Sequence, residues 1–184
     1  MQELIDLPDT PPGISIAISL ENEIISAQGF GYANLETKRP VTPKTQFRAA
    51  SVSKVITITA LAKLIENDKL KLEDSINNFV PTYARDKDNF TIAQLTGHIA
   101  GIPHYTQEDK IEKRHYDSVK EALCVFSHIE LKSKPGDKYQ YSTHGYTLLS
   151  RVIEAASHQN YLDYLDKVLD TLSMRSTSPD MRND

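Results

Sequence analysis

Apolar residues alternate with small or polar ones along "GISIAISL" (Gly13–Leu20), a period of two that predicts a β-strand. The polar "ENE" at 21–23 can turn the chain, and "IISAQGFGYANL" reads as a second strand with a glycine-broken end. Together they predict an antiparallel hairpin. "ETKRPVTPKT" at 36–45 reads as a proline-bearing polar loop. From Ser51 the period lengthens. Val55, Ile58, Ala62 and Ile65 recur at helical spacing, and the pattern stops near "END" at 66–68, with Asn67 as the expected C-terminal cap. "TIAQLTGHIAGIPHY" predicts a short helix capped by Thr91 and ended by Gly101 and Pro103. "DSVKEALCVFSHI", "GYTLLSRVIEAAS" and "NYLDYLDKVLDTL" predict three amphipathic helices. Between the first two of these, "KSKPGDKYQYSTHG" is rich in turn residues. "QEDKIEKRH" at 107–115 reads as a solvated charge run, and the tail "STSPDMRND" has no core signal.

One hairpin followed by helices makes an α+β chain. An isolated hairpin is marginal in water and leaves two edges open, so the sheet is expected to want further strands. The predicted organisation is one partial domain over 1–184. A hairpin and loop fill 12–46, a helical region fills 47–175, and a polar tail fills 176–184.

Composition narrows the function classes. Across 184 residues, 39% are hydrophobic and 25% charged, enough apolar material for one core. The net charge is −4 with no basic block, so a nucleic-acid partner has no electrostatic support. No apolar run approaches the roughly 20 residues of a membrane span. "MQELIDLPDTPPG" lacks a positive region followed by an apolar core, so no signal peptide is expected. Cys124 is the only cysteine, which excludes an internal disulfide, and "ALCVFSHI" around it predicts a buried structural thiol. His98, His104, His115, His128, His144 and His158 show no metal-ligand spacing; neither a metal nor a cofactor is expected.

Three features can carry chemistry. In "FRAASVSKVITITALAKL", Ser51 and Lys54 lie three residues apart and share one helix face. A serine needs a base to become a nucleophile, and a lysine can serve only where burial or positive charge lowers its pKa from about 10.4. Ala49, Ala50, Val52, Val55 and Ile56 offer an apolar neighbourhood, and a helix N-terminus offers backbone N–H groups to an oxyanion. Taken alone, the pair reads as a helix cap and a surface lysine, with Ser53 a competing, structural cap. Tyr141 stands between a Pro-Gly turn and a helix start; near a lysine its phenol can exchange protons, although alone it reads as a packed loop tyrosine. Ser142 and Thr143 can cap the following helix. His98 reads as a hydrogen-bonded structural histidine.

The order of these pieces carries more than any one of them. "PPGISIAISLENEIISAQGFGYANLETKRPVTPKTQFRAASVSK", "LIENDKLKLEDSINNFVP", "TIAQLTGHIAGIPHY" and "KPGDKYQYSTHGYTLL" resemble, in sequence order, the serine β-lactamase-related family. That family includes class C β-lactamases, penicillin-binding peptidases and related esterases. "GIPHY" and "YSTHGYTLL…YLDYL" most resemble its mitochondrial, peptidase-like subgroup and bacterial relatives. The resemblance implies a β-lactamase/transpeptidase-like fold and an acyl-serine hydrolase of small-molecule or peptide amides or esters. Ser51 would be the nucleophile, Lys54 would assist its deprotonation, and Tyr141 would shuttle the proton. Thr143 would stand at the substrate position where many members have asparagine. The Ser51 N–H would form half of an oxyanion hole. Gly97, Ile99 and Ala100 replace the hydroxyl residues that members carry around His98. An exported or mitochondrial location is also implied. Members carry a Lys- or His-Thr/Ser-Gly triplet on a late strand. No such triplet follows Tyr141, so the C-terminal strands of the sheet are expected to be missing, and the open hairpin edge is expected to allow self-association. A non-catalytic fragment or interaction module is the alternative function.

Overall fold

Strands β1 (Gly13–Leu20) and β2 (Glu23–Asn34) form the expected antiparallel hairpin. Glu21 and Asn22 both take positive φ, 50° and 65°, the two-residue turn whose twist matches that of its strands. The computed structural model describes residues 10–83, 87–106 and 116–180. The N-terminal residues 1–9, the charge run at 107–115 and the end of the tail at 181–184 lie outside the described residues.

Ile14, Ile16 and Ile18 stand opposite Phe30, Gln28 and Ser26, while Ser15 and Ala17 stand opposite Gly29 and Ala27. The second face is small because the chain returns across it: a Cβ on Gly29 would overlap the Val41 carbonyl. The stretch at 36–45 is therefore not all loop. Strand β3 (Arg39–Pro40) pairs with β2, Pro40 opposite Tyr32 and Arg39 opposite Asn34. The hairpin thus has one edge partly covered, where the sequence suggested two open ones. A two-residue strand is too short to show alternation, and its proline is tolerated because it forms the sheet edge. Strand order is β1-β2-β3, with β1 at the other edge.

The chain divides between Arg48 and Ala49 into two units. The second unit is helical: α1 (Ser53–Glu66), α2 (Ile92–Thr96), α3 (Val119–Ala122), α4 (Thr143–Ser157) and α5 (Tyr161–Thr171). Helix α4 is its centre. Leu148, Leu149, Val152 and Ile153 are fully buried there, against α1, α2, α3 and α5. Helix α1 buries Thr57, Ala60, Leu61 and Leu64; of the predicted stripe, Ile58 and Ile65 pack half-buried against this core, while Val55 and Ala62 are exposed. Val55 is 65% exposed. Apolar residues run almost around this helix, so its periodicity admits two stripes, and packing chooses between them. Asn67 does cap α1, its side chain donating to the Lys63 carbonyl at 2.7 Å, and Asp68 takes the left-handed conformation that follows.

Helix α2 starts as predicted. Thr91 Oγ1 accepts from the Gln94 N–H at 3.2 Å and Gln94 Oε1 accepts from the Thr91 N–H at 2.9 Å, a reciprocal cap. Thr91→Ala is expected to cost about 1 kcal/mol in urea unfolding, and an unchanged midpoint would contradict this role. The helix ends at Gly97 rather than at Gly101. The long helix predicted over "DSVKEALCVFSHI" is one α-turn capped by Ser118, followed by a 3₁₀ turn at Leu123–Val125. That change of pitch turns Leu123 and Phe126 inward and leaves Cys124 exposed, correcting the expectation of a buried thiol.

Candidate active site

Ser51 sits in a 3₁₀ turn (Ala50–Val52) that runs directly into α1. The cap positions of turn and helix are Ala49 and Val52, without a side-chain cap bond, so neither Ser51 nor Ser53 serves as the helix cap. Ala50, immediately before Ser51, has a φ of 45°. The left-handed region costs alanine about 1–2 kcal/mol, a strain typical of functional sites.

One turn further on, Lys54 directs its ammonium at Ser51 Oγ, 3.5 Å away. The same ammonium lies 4.8 Å from the Tyr141 ring centre and 5.4 Å from that of Tyr146. The apolar neighbourhood expected around Lys54 is not built from Val52 and Val55, which are 66% and 65% exposed. Lys54 occupies the inward side of α1 with Thr57 and Leu61, and aromatic rings surround it.

Tyr141 comes from a loop tied down by backbone bonds. Lys132 N–H donates to the Gly101 carbonyl, Gly136 N–H to that of Ile99 and Gln140 N–H to that of His98, at 2.8, 2.8 and 2.7 Å. Gly101, at φ 78°, permits this approach, because a Cβ there would overlap the Ser133 carbonyl. The loop then delivers the Tyr141 hydroxyl to Ser51 Oγ at 2.8 Å. The Lys54 hydrogen bond, and after it the Ser51 hydrogen bond, hold this phenol below its ordinary pKa of 10, against the opposing effect of burial.

Ser142 caps α4. Its Oγ accepts from the Gly145 N–H at 2.9 Å and donates to the Pro103 carbonyl at 2.8 Å. Thr143 is the first helical residue, its N–H donating to His104 Nδ1 at 3.1 Å, and its hydroxyl also favours the Tyr141 phenolate. His98 is hydrogen-bonded as expected, its Nδ1 accepting the Ser142 N–H at 3.1 Å. Ser51, Lys54, Tyr141 and Thr143 therefore converge. Sequence reasoning missed His104 and Tyr146; the pair "H…GIPH" at 98 and 104 was the available signal. Among the described residues no cluster could hold a metal ion, and no helix is long and apolar enough to cross a membrane.

Known proteins share this arrangement of elements. The chain is 29% identical over 235 residues to human (Homo sapiens) "Serine beta-lactamase-like protein LACTB, mitochondrial", covering 90% of this chain and 43% of that protein. Its fold is similar to the octameric penicillin-binding protein homologue from Pyrococcus abyssi, with a TM-score of 0.77 at 30% identity, covering 89% of this chain and 39% of that one. It is also similar to EstCE1, a hydrolase with promiscuous acyltransferase activity, with a TM-score of 0.79 at 25% identity, covering 88% of this chain and 47% of that one. The chain thus spans less than half the length of these relatives. The Beta-lactamase family profile matches residues 2–179, from before the hairpin to beyond α5, and the chain belongs to that family.

Proposed function

We propose that this chain carries the acylating centre of a serine hydrolase that cleaves an amide or ester of a small molecule or peptide. The observation that carries this reading is the convergence of the Tyr141 hydroxyl at 2.8 Å and the Lys54 ammonium at 3.5 Å on Ser51 Oγ. Lys54 favours the Tyr141 phenolate. The phenolate takes the Ser51 proton as Oγ attacks the carbonyl carbon, and Tyr141 then passes that proton to the leaving amine or alcohol. Water completes the cycle by the reverse route, releasing the acid and restoring Ser51. The Ser51 N–H is the oxyanion donor from this chain, and the Thr143 hydroxyl faces the substrate. Residues 142–184 contain no Lys- or His-Thr/Ser-Gly triplet.

Incubation with a fluorophosphonate or fluorescent penicillin, followed by peptide mapping, tests this. One adduct on Ser51 is expected, and none in Ser51→Ala. A folded sample that carries no adduct overturns the reading.

A second reading rests on β1. Its eight residues include no charge or proline to blunt an edge, and Ile18 and Leu20 are 52% and 62% exposed. In that reading the chain is an interaction module that pairs with a second copy through β1. Light scattering decides: a monomer at every concentration contradicts it.

A further inference from the structure

Two imidazoles grip the turn that carries Tyr141. His98 Nδ1 accepts the Ser142 N–H and His104 Nδ1 accepts the Thr143 N–H, each at 3.1 Å. These are the two successive amides after Tyr141. An imidazole nitrogen that accepts has no proton, so each ring is in the neutral tautomer protonated at Nε2. The rings also flank the phenol, with centres 4.7 Å (His98) and 5.4 Å (His104) from that of Tyr141. His98 holds the loop twice. Its carbonyl accepts the Gln140 N–H at 2.7 Å, and its backbone sits in the left-handed region at φ 59°.

We propose that His98 and His104 are positioning residues, a double acceptor clamp that sets the Tyr141 hydroxyl on Ser51, and that protonation of His98 opens it. A protonated Nδ1 would point an N–H at the Ser142 N–H, replacing an attraction by a repulsion. The titratable and charged groups facing His98 are Lys54 from α1, His104, and Tyr139, Tyr141 and Tyr146 from the loop and α4. Burial first, then the positive charge of Lys54, hold His98 below the ordinary value of 6.5. A base whose pKa is lowered by folding favours the folded state above 6.5, and that contribution is lost as pH falls from 6.5 through the folded value. The clamp is therefore closed at neutral pH and opens in acid. Its effect on chemistry rests on the hydrolase reading above; its geometry does not.

Nuclear magnetic resonance of the full chain, labelled with ¹⁵N and with ¹³C-tyrosine, tests the clamp without any turnover. On acidification the Ser142 amide and the Tyr141 ring signals are expected to shift together with His98, with a midpoint below 6.5. A His98 ring that titrates while both signals stay fixed overturns the proposal. His98→Phe and His104→Phe remove the acceptors. The Tyr141 titration midpoint is then expected to rise towards 10 and Ser51 labelling to fall at least tenfold. His98→Asn and His104→Asn place Oδ1 where Nδ1 was, and are expected to restore both readouts; His98→Asn also removes the acid transition. Phenylalanine variants that leave the Tyr141 midpoint unchanged contradict the clamp. If they do not fold, the wild-type titration decides. A clamp that titrates as described in a chain whose Ser51 never labels would refute the hydrolase reading and leave the clamp standing.

Discussion

Tyr141→Phe is expected to slow acylation of Ser51 by a fluorophosphonate about 10²–10⁴-fold, the usual contribution of a positioned proton acceptor. The change deletes one oxygen, the one 2.8 Å from Ser51 Oγ. It keeps the ring that lies against His98 and under Lys54, so the unfolding midpoint should scarcely move. In the wild type, labelling should rise about tenfold per pH unit and level off above the phenol's midpoint. That plateau lies below 10, because the hydrogen bonds from Lys54 and Ser51 stabilise the phenolate. Lys54→Met removes the larger cause. The midpoint should climb, and labelling at pH 7 should fall further below its plateau. A Tyr141→Phe chain that labels at the wild-type rate would remove Tyr141 from the chemistry.

The largest effect on stability is expected at Phe126. Its side chain is fully buried, stacked on His144 with ring centres 4.5 Å apart and tilted against Tyr83 at 5.8 Å. Phe126→Ala removes that surface from the core and leaves a cavity, at a cost of about 3–5 kcal/mol. Set against a total of about 5–15 kcal/mol for an ordinary domain, this is enough to unfold a marginal chain. Urea titration should show a lower midpoint with an unchanged slope. Val55→Ala, on the exposed side of α1, should stay within about 0.5 kcal/mol. Equal losses at the two positions would overturn the assignment of inner and outer faces.

What the sequence made legible follows from how local each signal is. The alternation of β1, the Thr91 cap and the amphipathic α4 and α5 are written within a few turns of chain, and each is realised. The inward stripe of α1 was legible only in part: Ile58 and Ile65 do pack on the core, but Val55 and Ala62 satisfy helical spacing as well as the residues that packing selects. Strand β3 and the exposure of Cys124 were hidden for a related reason. A two-residue strand and a single 3₁₀ turn are shorter than any period. At the site, the spacing of Ser51 and Lys54 is one helical turn and can be read directly. Tyr141 joins them across 90 residues, which only the order of family-like blocks could suggest. Of the bonds from backbone amides to His98 and His104 the sequence shows only the two acceptors, since any residue could supply the amide.

That separation also sets a timetable for the nascent chain. Closing a loop of this length costs an entropy worth roughly 4 kcal/mol, so the contact between Ser51 and Tyr141 is expected to form late, with the helices between them. At about 5–20 residues per second, Ser51 is synthesised roughly 5–18 seconds before its phenol exists. Throughout that interval Ser51 has Lys54 beside it but not yet Tyr141. On the hydrolase reading proposed above, Ser51 is thus kept inert during translation, and its labelling would serve as a clock for the last long-range step of folding.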